Sequence, residues 1–349
     1  MAADGTGGAC LPVSPAQPAV DPAWLTARVA ADTSARATTL GSLLPELINY
    51  LIDCCGLGGV LEIIDLGAGT GANQRWLAPR LEFVQRWIHL DHDPAISRSL
   101  PLPDDTMIID GSVELALGRL LAGRASDRHL VTCSALLDVL TTDQIDAVCR
   151  AVIENHVPAL FSLTVTGALT MSPADPHDQL FLAAFNDHQR RAGKAGPDAT
   201  TLAVNAFCAG RSTVRTQETP WRLTASSDWA FVEQFLQERL DAAVAQNPSL
   251  AVAATDWFEL RRSQFALGIL RIDVEHRDVL ALPGRWFARR RKVEDRADVS
   301  SKAEPLYRSG NGIREQIGSR EPYAGNPISN QDRGSRQVEP VEDTCGQEI

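Results

Sequence analysis

In IDLGAGTGA (64–72) an aspartate precedes three glycines at alternate positions: Asp65, Gly67, Gly69 and Gly71. Glycines so spaced let a backbone turn tightly and approach a bound molecule with no side chain in the way. A carboxylate two positions before the first glycine would repel a pyrophosphate and attract an ammonium group. Asp91 follows Gly71 by twenty residues, where a carboxylate can accept hydrogen bonds from both hydroxyls of a ribose. Asp93 lies two residues further into the same turn. Asp110, in IIDGS, is a third acid of this kind and reads equally as an ordinary turn or N-cap aspartate. Gly67, Gly69 and Ala72 also satisfy G-x-G-x-x-A, so these residues leave a dinucleotide open as the ligand.

A second group of polar residues lies further along the chain. Asn186, His188, Gln189 and Arg190 crowd about one helical turn within FNDHQRR, and His177 precedes them. A solvated helix face accounts for Arg190 and Arg191 better than for Phe185, Asn186 and His188 together. His188 titrates close to neutral pH and suits a general base. Asp138, in CSALLDVLT, either faces a substrate or sits in the first turn of a helix, favoured by the macrodipole. Cys133 in the same segment reads as packing. Asp32 and Arg36 stand four apart and would pair on a helix face.

The elements that must position these residues alternate. From Trp24 to Ile52 leucines recur at three- and four-residue steps, which predicts one or two leading helices. VLEIIDL (60–66) is a strand apolar enough to be buried on both faces, and a helix starts near Ala72. Strands at 86–91, 106–110, 129–136 and 158–166 follow, with helices at 113–121 and 142–153 between them. Such alternation implies parallel pairing through right-handed crossovers, hence a doubly wound α/β sheet. Helices at 178–191 and 200–209 lead to a strand at 213–218, and a helical insertion over about 226–267 precedes a last strand at 269–275. Inserted there, these helices would cap one edge.

Composition sets the outer bounds. The chain has 349 residues, 44% hydrophobic and 22% charged, as expected of a globular protein with a sizeable core. Its formal net charge of -11 runs against a nucleic acid as partner, since such binders carry a basic face. No apolar run approaches the ~18 to 20 residues that span a bilayer, so no membrane partner is expected. Residues 1–21 lack a signal's basic start and apolar run and read as a flexible leader, which points to the cytoplasm. Seven cysteines without paired spacing read as reduced thiols and suggest no metal site. Beyond Trp286, Gly, Pro, Ser, Asn and Arg dominate and acidic and basic residues balance, so 285–349 is expected to be a disordered tail outside a domain spanning 22–284.

Strand, D-x-G-x-G-x-G and helix together resemble motif I of the class I S-adenosylmethionine-dependent methyltransferases. That resemblance implies a mostly parallel seven-stranded sheet and S-adenosylmethionine as cofactor. It places Gly67, Gly69 and Gly71 against the cofactor's amino acid and ribose portions. Asp65 would hold the amino end, directly or through water, Asp91 the ribose and Asp110 the adenine amino group. CSALLDVLT resembles motif IV of the small-molecule enzymes; it lacks the [DN]-P-P-[YF] and Pro-Cys signatures of nucleic-acid methyltransferases. The FNDHQRR block and the Ala-Asp…Ala-Arg leader resemble a group of actinobacterial class I methyltransferases of undefined substrate. By that likeness Arg36 would clamp the cofactor carboxylate. The resemblance runs from Pro22 to Pro283.

The expected reaction is in-line transfer of a methyl group to a small molecule, with His188, Asn186 and Asp138 on the acceptor side. Two readings stay beside it: an NAD(P)-dependent oxidoreductase, and a methyltransferase-like module that binds without turnover.

Overall fold

The computed structural model describes residues 22–56, 58–92, 107–110, 112–122 and 128–284. The chain divides into two units, Met1–Gly284 and Arg285–Ile349. The expected flexible leader (1–21), the expected tail (285–349) and Asp93 lie outside the described residues.

Strands β1 (Val60–Leu66), β2 (Val84–Asp91), β3 (Met107–Asp110), β4 (His129–Ser134) and β5 (Ala159–Ser172) pair in parallel in the order β3-β2-β1-β4-β5. Next to β5 comes β8 (Arg271–Leu282), antiparallel to it, and then β6 (Thr213–Glu218). These seven strands are the expected sheet. An eighth, the three-residue β7 (Trp221–Leu223), pairs with the first half of β8.

The sheet is doubly wound. Helices α6 (Val113–Leu121), α7 (Thr142–Glu154) and α9 (Ala199–Ala209) bury Leu117, Ile145, Val148, Ala203 and Phe207 with Ile64, Ile88, Val131 and Phe161 of the strands. A capping box starts α7 at the expected place: the Gln144 amide donates to Thr141 Oγ1 at 3.3 Å, and the Thr141 amide donates to Gln144 Oε1 at 2.9 Å. The leading helical stretch is four helices, α1 (Pro22–Ala27), α2 (Val29–Ala35), α3 (Ala37–Gly41) and α4 (Leu43–Cys55), and α5 (Ala72–Leu77) follows the glycine turn.

A second core lies beyond the parallel part. Strand β5 runs on past its pairing with β4, through irregularities near Leu163 and Gly167, and stays paired with β8 to Ser172. On this extension pack α8 (Asp178–Gln189), α10 (Trp229–Gln246) and α11 (Ala251–Ala266), burying Phe181, Trp221, Phe231, Phe235, Trp257 and Ile272. The expected insertion of two helices is therefore a lobe with its own apolar centre.

One expectation about cysteine is corrected. Cys208, at the end of α9, is disulfide-bonded, whereas Cys54, Cys133 and Cys149 are free. Among the described residues no helix is long and apolar enough to cross a membrane, and no cluster of His, Cys, Asp and Glu could hold a metal.

Candidate cofactor and acceptor site

Parallel register brings the three acids to one edge of the sheet. Asp65 lies beside His89 on β2 and Thr132 on β4, and Asp91 lies beside Asp110 on β3. The Asp110 side chain is outside the described residues.

Immediately after β1 the chain turns through three left-handed glycines, with φ of 58° at Gly67, 52° at Gly69 and 76° at Gly71. The Gly67 amide donates to Leu90 O at 2.8 Å, tying the turn to β2. Gly69 donates its amide to Asp91 Oδ2 at 2.7 Å, so this carboxylate holds the middle of the loop in addition to any ribose. A Cβ on Gly67 would stand 2.6 Å from Leu136 Cδ1, in the turn after β4. On Gly69 it would meet Leu25 Cδ1 at 3.7 Å and Gly67 O at 3.9 Å, both ordinary contacts. Leu25 belongs to α1, whose Trp24 stacks on Phe231 of α10 at 5.3 Å. Helix α1 thus spans from the glycine loop to the second lobe.

Beneath the loop Asp65 is fully buried. Asn73 donates to its Oδ1 at 2.7 Å, and no hydrogen-bond partner reaches its Oδ2. Burial raises its pKa to about 7, against the lowering effect of Asn73 and Arg36. Asn73 is shared: it also donates to Thr132 Oγ1 at 3.1 Å and accepts from Arg36 Nη1 at 2.9 Å. Arg36 is only 2% exposed, donates to Ser162 Oγ at 3.3 Å and lies 3.6 Å over the Trp76 ring.

The expected Asp32–Arg36 pair does not form. Asp32 takes Arg28 instead, at 2.9 Å, and Trp221 Nε1 donates to it at 3.0 Å. Arg28 lies one turn earlier on the same face, which frees Arg36 to turn inward. Asn73, Thr132 and Ser162 were not legible as site residues. Asn73, eight residues past Asp65 at the start of the next helix, was the one local signal.

The acceptor-side candidates are placed differently from one another. Asp138 lies in the first turn of a short 3-10 helix, Leu137–Val139, ahead of α7, as the helix-acid alternative expects. Its Oδ1 is buried with no partner, and burial raises its pKa against the pull of Arg28, Lys194 and Arg239. Asn186 fastens α8 to the bulge in β5, donating to Gly167 O at 2.9 Å, and its own oxygen is buried without a partner. His188 is half-buried in the last turn of α8, its pKa lowered first by burial and then by Arg191 and Lys194. It is neutral at pH 7 and able to accept a proton. His177 pairs with Asp175 at 3.0 Å, at the start of α8. Cys133 is packed at 0% exposure, and burial pushes its thiol well above the ordinary value.

The strand order, the one antiparallel strand near the edge and the glycine turn after β1 define the class I methyltransferase architecture. Solved structures similar to this chain include a cyclopropane synthase of Mycobacterium tuberculosis (13% identity, TM-score 0.35), covering 68% of this chain and 83% of that one. A mycolic acid cyclopropane synthase complexed with SAH is similar over 68% of this chain and 83% of that one, at 12% identity and TM-score 0.33. A geranyl diphosphate methyltransferase matches over 68% of this chain and 77% of that one, at 10% identity and TM-score 0.33. No family model and no curated protein matches the sequence.

Proposed function

We propose that residues 22–284 transfer a methyl group from S-adenosylmethionine to a small-molecule acceptor. The observation that carries this reading is the buried, half-satisfied carboxylate of Asp65 beneath a left-handed glycine turn. An acid left so has a free oxygen for one cation, and the amino end of the cofactor is such a cation. A pyrophosphate would instead meet that acid and gain nothing from it. The residues fit the cofactor: Asp65 for the amino end, the bare backbone of Gly67–Gly71 for close approach, and Asp91 with Asp110 for the nucleoside.

When bound, the cofactor supplies a sulfonium-activated methyl group. The protein's share is alignment and exclusion of water, which can be worth about 7 to 11 kcal/mol. Leu136 stands beside Gly67 and Leu25 of α1 beside Gly69, so apolar side chains flank the glycine turn. His188 takes up the acceptor's proton where the acceptor carries one. Calorimetry with S-adenosylhomocysteine and with NADH decides the cofactor, and labelled methyl transfer into a cell extract decides turnover. Binding of NADH alone overturns the reading in favour of an oxidoreductase. Cofactor binding without any labelled product leaves a binding module.

Cofactor affinity is expected to depend on pH through Asp65. Its folded pKa is raised, so near pH 6 the acid is mostly protonated and cannot hold an ammonium. Affinity for S-adenosylhomocysteine therefore rises about tenfold from pH 6 to pH 8. Asp65→Asn flattens the profile. The effect on stability has the opposite direction: the raised pKa favours the folded chain at low pH, and this contribution is lost as pH rises from about 4 through about 7. An unchanged affinity over this range would separate Asp65 from the ligand.

For His188→Gln, S-adenosylhomocysteine affinity stays within a few fold while turnover falls about 10² to 10⁴, the usual worth of a general base. A loss of thermal stability with turnover per folded molecule intact would make His188 structural.

A further inference from the structure

Helix α1 is held differently from the rest of the leading stretch. Helix α4 buries Leu43, Leu44, Leu47 and Leu51 at 4% exposure or less, whereas Trp24, Leu25 and Ala27 of α1 all stay part-exposed. Six residues do not hold a helix by themselves, so α1 lies where its side chains keep it. Trp24 reaches the second lobe through its stack on Phe231, and Phe231 is itself packed edge-to-face with Trp221 at 5.4 Å. Just past α1 the chain is pinned more firmly. Arg28 pairs with Asp32, its guanidinium carbon lies 5.0 Å from the Trp221 ring centre, and the Trp221 indole donates to the same Asp32.

The same helix stands over the glycine turn. A ligand gains the bare backbone of Gly69 from the side where the side chain is missing, and there Leu25 Cδ1 lies 3.7 Å from the place of a Cβ. Adding the Cα–Cβ bond leaves Leu25 Cδ1 at most about 5.2 Å from the Gly69 Cα. A ligand carbon seated along that line needs about 3.5 to 4 Å from each of them, roughly 7 to 8 Å together. The seat is therefore short by about 2 to 3 Å, and Leu25 has to withdraw before a ligand can settle on the turn.

We infer that α1 is a gate over the glycine turn, swinging outward about Arg28 to admit the ligand, with the Trp24–Phe231 stack as the latch that holds it shut. That the ligand is S-adenosylmethionine rests on the methyl-transfer reading above; the gate does not. Because Phe231 belongs to α10, the second lobe sets how often the cofactor half of the molecule opens.

Hydrogen exchange on the ligand-free full chain tests the gate without any ligand. The Arg28 amide donates to Trp24 O at 3.2 Å and loses that bond when α1 swings out. It should exchange on the order of a hundredfold faster than amides in the middle of α4, and Trp24→Ala should speed it about tenfold more, through loss of one aromatic stack. Stopped-flow mixing with S-adenosylhomocysteine reads the gate from the other side. Trp24→Ala and Leu25→Ala should each raise the association and dissociation rates together, about tenfold, and leave the dissociation constant within about threefold. A gate acts on passage in both directions, whereas a lost wall contact raises dissociation alone. An Arg28 amide as protected as those of α4, rates unchanged in both variants, or faster dissociation alone overturns the inference. Should Trp24→Ala fail to fold, Leu25→Ala decides the rates. S-adenosylhomocysteine binding with a protected Arg28 amide sinks the gate alone. Fast Arg28 exchange that answers to Trp24→Ala, with no S-adenosylhomocysteine binding in parent or variants, sinks the methyl-transfer reading and leaves the gate standing.

Discussion

In Gly69→Val, affinity for S-adenosylhomocysteine falls at least a hundredfold in a chain that still folds. The two effects separate because of what surrounds this glycine. A Cβ there meets Leu25 Cδ1 at 3.7 Å and Gly67 O at 3.9 Å, ordinary contact distances, so the protein interior makes room for it. The left-handed backbone, φ 52°, imposes a cost of about 1 to 2 kcal/mol on a non-glycine residue, which a domain of this size survives. A ligand seated on the bare amide would meet the two methyl groups directly. Gly67 is a poorer test, since its added carbon strikes Leu136 and would disturb fold and site together. Calorimetry on material with an unchanged circular dichroism spectrum checks the result. Retained affinity in the folded variant would remove the loop from the site.

The second large effect is on stability. Arg36→Met is expected to cost about 3 to 5 kcal/mol, because it leaves buried carboxylates without their cation. Asp278 and Asp65 both lie within electrostatic reach of Arg36, and both are fully buried. Asp278 keeps its donors, Thr39 at 2.7 Å and the Leu163 amide at 2.8 Å, but Asp65 keeps only Asn73. The unfolding midpoint should fall by on the order of 10 °C, read by scanning calorimetry. Arg36→Lys restores the charge without the two-pronged reach to Asn73 and Ser162, so an intermediate midpoint is expected. A midpoint within about 2 °C of the parent would show that the network under the glycine loop does not hold the fold.

What could be read from the chain was local. The glycine turn, the alternation of strands and helices, the ends of β1, β6 and α6 and the start of α7 all follow from residues adjacent in sequence. Strands β5 and β8 were expected to end at Thr166 and Glu275, just before Gly167 and before Arg277 and Asp278 break the apolar pattern. In the fold those positions lie where β5 and β8 stay paired beyond the parallel part, with bulges in register that reset which side chains face inward. Three residues of β7 are too few for any periodic signal.

The same limit applied at the site. Asp65 was legible from its glycines. That Arg36, 37 positions before Asn73, would meet it underneath was not, nor that Ser162 would close the network from 126 positions beyond Arg36. Arg28 and Arg36 both stand four residues from Asp32, and spacing alone does not choose between them. The choice falls to Trp221, whose indole donates to the same carboxylate from a distant strand.

The pairing of β5 with β8 also bears on how fast the molecule forms. Leu163 and Asp278, joined across these strands, are 115 positions apart, and everything between them must be looped out before the pair can close. Closing so large a loop costs entropy before any contact returns it, which places this chain among slow-folding topologies. During synthesis β1 to β5 emerge long before β8, so the outer edge of β5 waits unpaired, a strand template open to other nascent chains. A chain stopped short of β8 should therefore aggregate rather than fold partially, and refolding of the whole protein should become less efficient as its concentration rises.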